Sequence, residues 1–363
     1  MSRHTDQSNP PDVGTPGEAR ELDEELYYAS LTQRNRGLIP AALQEQIRHT
    51  PLLIAGCGSI GGATVQPLGR MGYRDFVLAD VGTYELNNLN RQHATIDDLG
   101  RNKAEVGADT LRAINPHIRA EVVPVGVTRD NVRDLVRRAE VIVDGVDVTT
   151  PSGLRAKIAL HQEACRQRKP LVTGWDMAGT LAAQCFDYRR VRRIFDGQLL
   201  AEDADALTTW EVIYRIVPRS HIPGEMYREL RHGLDHPDYS VPQLTEAATQ
   251  FGSLAVHMVN QLVAGEDVPR TVAVDVHHIA LTPGRRVVDR VTRYWEKARF
   301  LNHLPREQAW RGFSPAAVYR LGRRPTPAAQ PCPVPGTTAR PADHRPVAAS
   351  EGAARSRRKE SPT

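Results

Sequence analysis

The chain has 363 residues, 40% of them hydrophobic, which suffices for one large core or two small ones. Its formal net charge of +4 belongs to residues 321–363, where eight Arg/Lys stand against three acids. The remainder holds 39 basic and 40 acidic residues, so a nucleic-acid-binding body is not indicated. Four scattered cysteines (Cys57, Cys165, Cys185, Cys332) argue against a zinc ribbon or a disulfide framework and suit a reducing compartment. There is no signal-peptide core and no 18-residue apolar run, so neither export nor a membrane span is expected, and the expected location is cytoplasmic.

Residues 1–20 are polar and Pro/Gly-rich and read as disordered. Helical patterns follow from Glu21 to Arg48, interrupted by Gln33-Arg34-Asn35-Arg36-Gly37. That basic stretch suits either a solvated turn or a phosphate contact. Leu52 to Ala55 is a short apolar run of the kind that forms a buried parallel strand. Gly56-Cys57-Gly58-Ser59-Ile60-Gly61 then gives G-x-G-x-x-G. Gly56 permits a tight turn, Gly58 a close approach to phosphate, and Gly61 tight packing of the next helix. That helix, expected over Ile60–Met71, points its free N–H groups at an anion. Phe76 to Ala79 is a second strand, ending in Asp80 where an acid can take ribose hydroxyls.

The loop after Asp80 is rich in Asn, Arg and Asp, donors and acceptors suited to phosphate and ribose. A helix over Lys103–Ile114 stops at Asn115-Pro116. Further strands are expected over Ala120–Val125, Val141–Asp144, Leu171–Gly174, Gly179–Tyr188 and Thr271–Leu281, with helices over Asp130–Arg138, Pro151–Arg168 and Leu244–Val263. Asp147, just past the fourth strand, suits either a metal or substrate contact or a helix cap. Cys185 falls among apolar neighbours and reads as core. His277 and His278, read as strand residues, would point to opposite faces and make a poor metal site. Residues 189–240 carry no interpretable motif. Two amphipathic stretches, Val287–Asn302 and Pro315–Leu321, precede a Pro-rich tail.

Taken together, the Gly loop, Asp80, the run Asn88-Leu89-Asn90-Arg91-Gln92, Lys103 and Asp147 resemble the ThiF/MoeB/HesA family of ubiquitin-activating-like adenylyltransferases, from about Leu31 to Leu281. The resemblance implies an α/β fold: a Rossmann-like doubly wound, mostly parallel sheet, extended by further strands and a long C-terminal amphipathic helix. It implies ATP and Mg²⁺, with Gly56, Gly58, Ser59 and Gly61 at the nucleotide and Asp80 on the ribose. Asn88, Arg91, Gln92 and Lys103 would hold phosphates, and Asp147 would bind Mg²⁺. Arg34 would reach the neighbouring site of a two-fold homodimer. The division expected is a disordered 1–20, a helical 21–50, an adenylation domain over 51–285, helices over 286–322 and a disordered 323–363.

Three departures from the family pattern stand out. Asp-Asn after the fourth strand is Asp147-Val148 here, and the C-x-x-C pairs of zinc-bearing relatives are absent, as is a clear thioester cysteine. The function implied is adenylation of the C-terminal carboxylate of a small ubiquitin-like or sulfur-carrier protein or a peptide. The alternatives are a tRNA-modifying dehydratase of the same superfamily, an NAD-dependent oxidoreductase sharing the Gly loop and Asp80, and a silent scaffold.

Overall fold

In the computed structural model, which describes residues 13–199, 209–236 and 239–303, the short apolar runs pair into one sheet of seven strands. These are β1 (Leu52–Ala55), β2 (Asp75–Ala79), β3 (Arg119–Val123), β4 (Val141–Asp144), β5 (Pro170–Met177), β6 (Thr180–Asp187) and β7 (Thr271–Asp275), in the order β3-β2-β1-β4-β5-β6-β7. The first five are parallel, while β6 and β7 run antiparallel to their neighbours. Strands β1 and β4 are buried along their whole length because helices cover both faces, which is why they read as unbroken apolar runs.

Alternation within β1 and β2 splits the core in two. Leu52, Ile54, Phe76 and Leu78 pack under α3 (Ala41–His49), α4 (Gly61–Met71), α5 (Lys103–Ile114) and α10 (Thr245–Val263). Leu53, Ala55 and Val77 face α6 (Val132–Arg138) and α7 (Pro151–Gln167). The chain winds outward from β1 to β3, then returns to β4 on the other side of β1. The strand order therefore switches between β1 and β4, where open α/β sheets leave a crevice beyond their carboxyl ends.

Beneath that crevice lies a buried polar chain that no local pattern announced. The Asp144 carboxylate at the end of β4 meets Lys157 Nζ at 2.6 Å and His161 Nε2 at 2.9 Å, both from α7. His161 Nδ1 in turn meets the Tyr188 hydroxyl at 2.7 Å. Burial holds the His161 ring down to about 4, against the pull of Asp144, so the ring is neutral at physiological pH. Its N–H donates to Asp144, and the charge balance falls to Lys157. Burial alone would raise Asp144, but Lys157 and His161 outweigh it and hold the carboxyl below its ordinary value.

The fold class matches the expectation, and several boundaries move. β5 runs on past Gly174 to Met177, because its full length pairs with β6, from Pro170↔Asp187 to Met177↔Thr180. β7 stops at Asp275, whose side chain accepts the His278 amide and starts the short helix α11 (Val276–Ala280), so the expected strand to Leu281 is corrected. A short helix α1 (Pro16–Glu21), with a Thr15 capping box, lies in the stretch expected to be disordered, and α2 (Glu24–Leu31) follows it. The uninterpreted 189–240 region holds α8 (Thr209–Ile216) and α9 (Gly224–Asp235), and α12 (Pro283–His303) is the long C-terminal helix. The stretch Pro315–Leu321, Cys332 and the tail lie outside the described residues.

Lys157→Met tests the buried chain. It leaves the Asp144 charge unpaired, and we expect a loss of about 3–5 kcal/mol in urea unfolding.

Candidate functional site

At the carboxyl ends of β1 and β4 three glycines bring main chain against main chain. Gly56 has φ +83°, and a Cβ there would lie 2.4 Å from Gly145 C. A Cβ on Gly61 would lie 1.8 Å from Gly56 O, and one on Gly145 would lie 2.4 Å from Gly61 N. Gly56 N donates to Ala79 O and Gly145 N to Ala55 O, each at 2.7 Å, so the loop continues the strand ladders. Gly58 differs: a Cβ there meets nothing closer than the Gln92 amide, at 3.9 Å. Space is thus left at Gly58, where a phosphate needs it. α4 begins beside that space with no side-chain cap on its N-terminus, leaving amides free for an anion.

Other groups converge on this opening. The Asp80 carboxylate accepts the amides of Cys57 and Gly82, which ties the Gly loop to the end of β2 and leaves lone pairs for a ribose. Lys103, the first residue of α5, packs beside Asp80 across Gly82 with its ammonium over the Tyr84 ring. Gln92 is buried, and its Oε1 has no partner among the described residues. Arg91 Nη1 bonds Asn87 O at 3.0 Å and Asn90 Oδ1 at 2.7 Å, while its buried Nε is unpartnered among the described residues. Asn88 accepts the Glu85 amide at 3.2 Å and donates to Asn87, so it shapes the loop.

Asp176 near the end of β5 is the residue the sequence reading missed. Its Oδ2 accepts from Ser59 Oγ at 3.3 Å, and its buried Oδ1 has no partner within hydrogen-bonding geometry among the described residues. Burial pushes its carboxyl up to about 7, with Ser59 and the Arg91 charge opposing. A lone Asp in an apolar strand carries no motif; only the pairing of β5 with β6 carries it to this opening.

Asp147 stands in the loop after β4 that passes Gly56, and it is exposed. Its carboxylate accepts the Thr149 amide at 2.9 Å and hydroxyl at 2.8 Å, whereas the cap of α7 is Thr150. One loop carboxylate suits Mg²⁺ that takes its remaining ligands from phosphates and water. Arg34 is not brought to this opening. It is exposed in a 3-10 turn whose Asn35 bonds Gln44 and the Met71 carbonyl, at the far end of α4, roughly 16 Å along that helix. Cys57 and Cys185 are buried, and burial raises both thiols, Cys185 to about 12, so neither is a ready nucleophile. A separate open cleft of about 570 Å³ lies at the amino ends of β2 and β3, where Arg119 pairs with Asp75 and Arg138 with Glu121.

Residues 32–196 match the sequence model of the ThiF family, and the chain resembles the ThiF/MoeB/HesA group. It is 30% identical over 132 residues to the sulfur carrier protein adenylyltransferase of Thermus thermophilus, covering 36% of this chain and 47% of that one. It is 34% identical over 132 residues to the tRNA threonylcarbamoyladenosine dehydratase of Escherichia coli, covering 36% and 47%. Matches to such relatives span from a quarter to about half of their length. The crystal structure of E. coli MccB with MccA-N7isoASN shares the fold, with a TM-score of 0.50 and 18% identity over 72% of this chain and 71% of that one.

Gly145→Ala and Gly58→Ala should part company. The first forces backbone apart and lowers stability by about 1–3 kcal/mol in thermal unfolding. The second melts like the parent and loses ATP binding in calorimetry, because its Cβ intrudes only on the phosphate space.

Proposed function

We propose that this chain is an ATP-dependent adenylyltransferase that activates the C-terminal carboxylate of a small ubiquitin-like or sulfur-carrier protein or of a peptide. The observation that carries this reading is the convergence of uncapped α4 amides, Arg91, Gln92, Lys103 and the half-satisfied Asp176 around the space at Gly58. An oxidoreductase would use the Gly loop and Asp80 but has no need of cations on that opening. The ThiF-type match supports the adenylation reading over it.

In the proposed reaction the acceptor carboxylate oxygen attacks the α-phosphorus of ATP. The bond from that phosphorus to the bridging oxygen breaks, and pyrophosphate leaves with the electron pair. Negative charge builds on the phosphate oxygens, and fixed cations that need no reorganisation lower its energy. Arg91 stays charged although burial lowers it, and it is braced by Asn87 and Asn90, so it meets that charge already oriented. Lys103 supplies a second cation beside Asp80, which would orient the ribose. Asp147 would hold Mg²⁺ together with the phosphates, and the ion would add Lewis-acid neutralisation of phosphate charge. Asp176, across from Ser59, would face the acceptor side.

Arg34 in this reading acts in the partner's site of a two-fold dimer, since its own chain places it at the wrong end of α4. The near-neutral body and the peptide or carrier acceptors of similar proteins favour a protein or peptide substrate over tRNA.

ATP–pyrophosphate exchange with Mg²⁺ and a panel of carrier proteins and peptides with free carboxylates tests the assignment. We expect exchange with one acceptor class, reduced roughly 10²–10³-fold in Arg91→Ala and in Lys103→Ala. Tight NAD binding without exchange would overturn it, and exchange with tRNA alone would move the reading to the dehydratase. For the dimer, inactive Arg34→Ala and inactive Asp147→Ala chains mixed and reassembled should recover roughly a quarter of parental exchange, since half the dimers are mixed and each has one complete site. No recovery would show that Arg34 acts within its own chain.

A further inference from the structure

Away from the nucleotide opening, the early end of β7 assembles a second group of side chains. Because Asp275 caps α11, His277 and His278 sit on one helical turn instead of on opposite faces of a strand. His277 Nε2 comes within 3.5 Å of Glu225 Oε1, at the start of α9. Asp289 on α12 completes the set: one donor atom from each of Glu225, His277 and Asp289 lies within 4.8 Å of the other two. The remote α9 and the consecutive helices α11 and α12 thus aim an imidazole and two carboxylates at one point.

The surroundings hold these donors in place, and the ion-pair partners of the two carboxylates among the described residues are histidines. His278 Nδ1 bonds Asp289 Oδ2 at 2.7 Å, the kind of outer contact that orients a ligating carboxylate. Arg286 of α12 donates to Ile279 O of α11, and Arg231 of α9 pairs with Glu296 of α12 at 3.0 Å, so the elements are tied together independently of the donors. Arg293, one turn beyond Asp289, gives its guanidinium to Ser220 O. Among the described residues no Lys or Arg forms an ion pair with Glu225 or Asp289. Two carboxylates this close repel, and a cation between them removes the repulsion.

We infer that Glu225, His277 and Asp289 form a binding site for a divalent transition-metal ion, with Zn²⁺ the best fit. An imidazole among the donors disfavours Mg²⁺ and Ca²⁺, which take oxygen, and the lack of thiolate disfavours soft ions. Three protein ligands leave Zn²⁺ an open position for water. His277 is exposed enough for the ion to enter. The ion clasps the turn after β7 to α9 and α12. The His277 Cβ also lies 4.0 Å from the Cβ position of Gly179, so this clasp abuts the β5–β6 turn that follows Asp176.

The test uses the full chain without a histidine tag, stripped with chelator and titrated with ZnCl₂ by calorimetry and thermal unfolding. We expect one Zn²⁺ per chain and a rise in melting temperature on the order of 2–4 °C. His277→Ala and Asp289→Asn should each weaken binding by about tenfold or more and lose the thermal shift, whereas His257→Ala, at an exposed position on α10, should keep both. Unchanged circular dichroism and metal-free melting show that the variants fold. Absence of binding up to roughly 100 µM Zn²⁺ in the parent, or binding that survives in both variants, would overturn the assignment.

Discussion

Gly56, Gly61 and Gly145 hold the rest of the site in place through the closeness of three stretches of backbone. A Cβ at any of them would sit 1.8–2.4 Å from a neighbouring main-chain atom, so the β1–α4 turn and the loop after β4 meet only if all three positions lack side chains. Once they meet, the α4 amides, the Gly58 space and the Asp147 loop share one opening. The nucleotide end of the molecule is therefore set by steric contact, and its charged groups are added around a fixed frame.

Electrostatics divides the molecule differently above and below that frame. Beneath it, Asp144, Lys157, His161 and Tyr188 are buried with their partners, and such closure gives rigidity to the end of β4. At the opening, Arg91 Nε, Gln92 Oε1 and Asp176 Oδ1 are buried and unpartnered among the described residues. Leaving three such atoms unsatisfied costs stability, a cost that a bound substrate can repay. The contrast between the closed network and the open one distinguishes the supporting part of the fold from the part that binds.

The helices beyond β6 play a different part. α9 and α12 are tied by Arg231–Glu296, and Arg293 of α12 also holds Ser220, just ahead of α9. This is the region where the sequence was least informative. Helical spacing announced α12, but α8 and α9 lie in a charged, Pro-punctuated stretch whose periodicity is broken too often to be read.

What the sequence by itself determined is the β1–α4–β2 unit, the α5 helix, β4 and the long α10. Each is written in local signals: apolar runs of strand length, a Gly turn, Asn102 ahead of α5 and an unbroken helical stripe. Gly58, Asp80, Arg91, Gln92 and Lys103 were expected together through the family resemblance that the Gly loop and the Asn88–Gln92 run carry. Tertiary structure alone decided Gly145, Asp176, the Asp144 network, the far-end position of Arg34 and the Glu225–His277–Asp289 group. Each depends on which strand lies beside which, or on where a strand stops. Asp176 faces Ser59 only because β5 keeps pairing with β6 beyond Gly174, and His277 reaches Glu225 only because Asp275 ends β7 with a cap. Such contacts join residues tens to more than a hundred positions apart, and no periodicity within one segment encodes them.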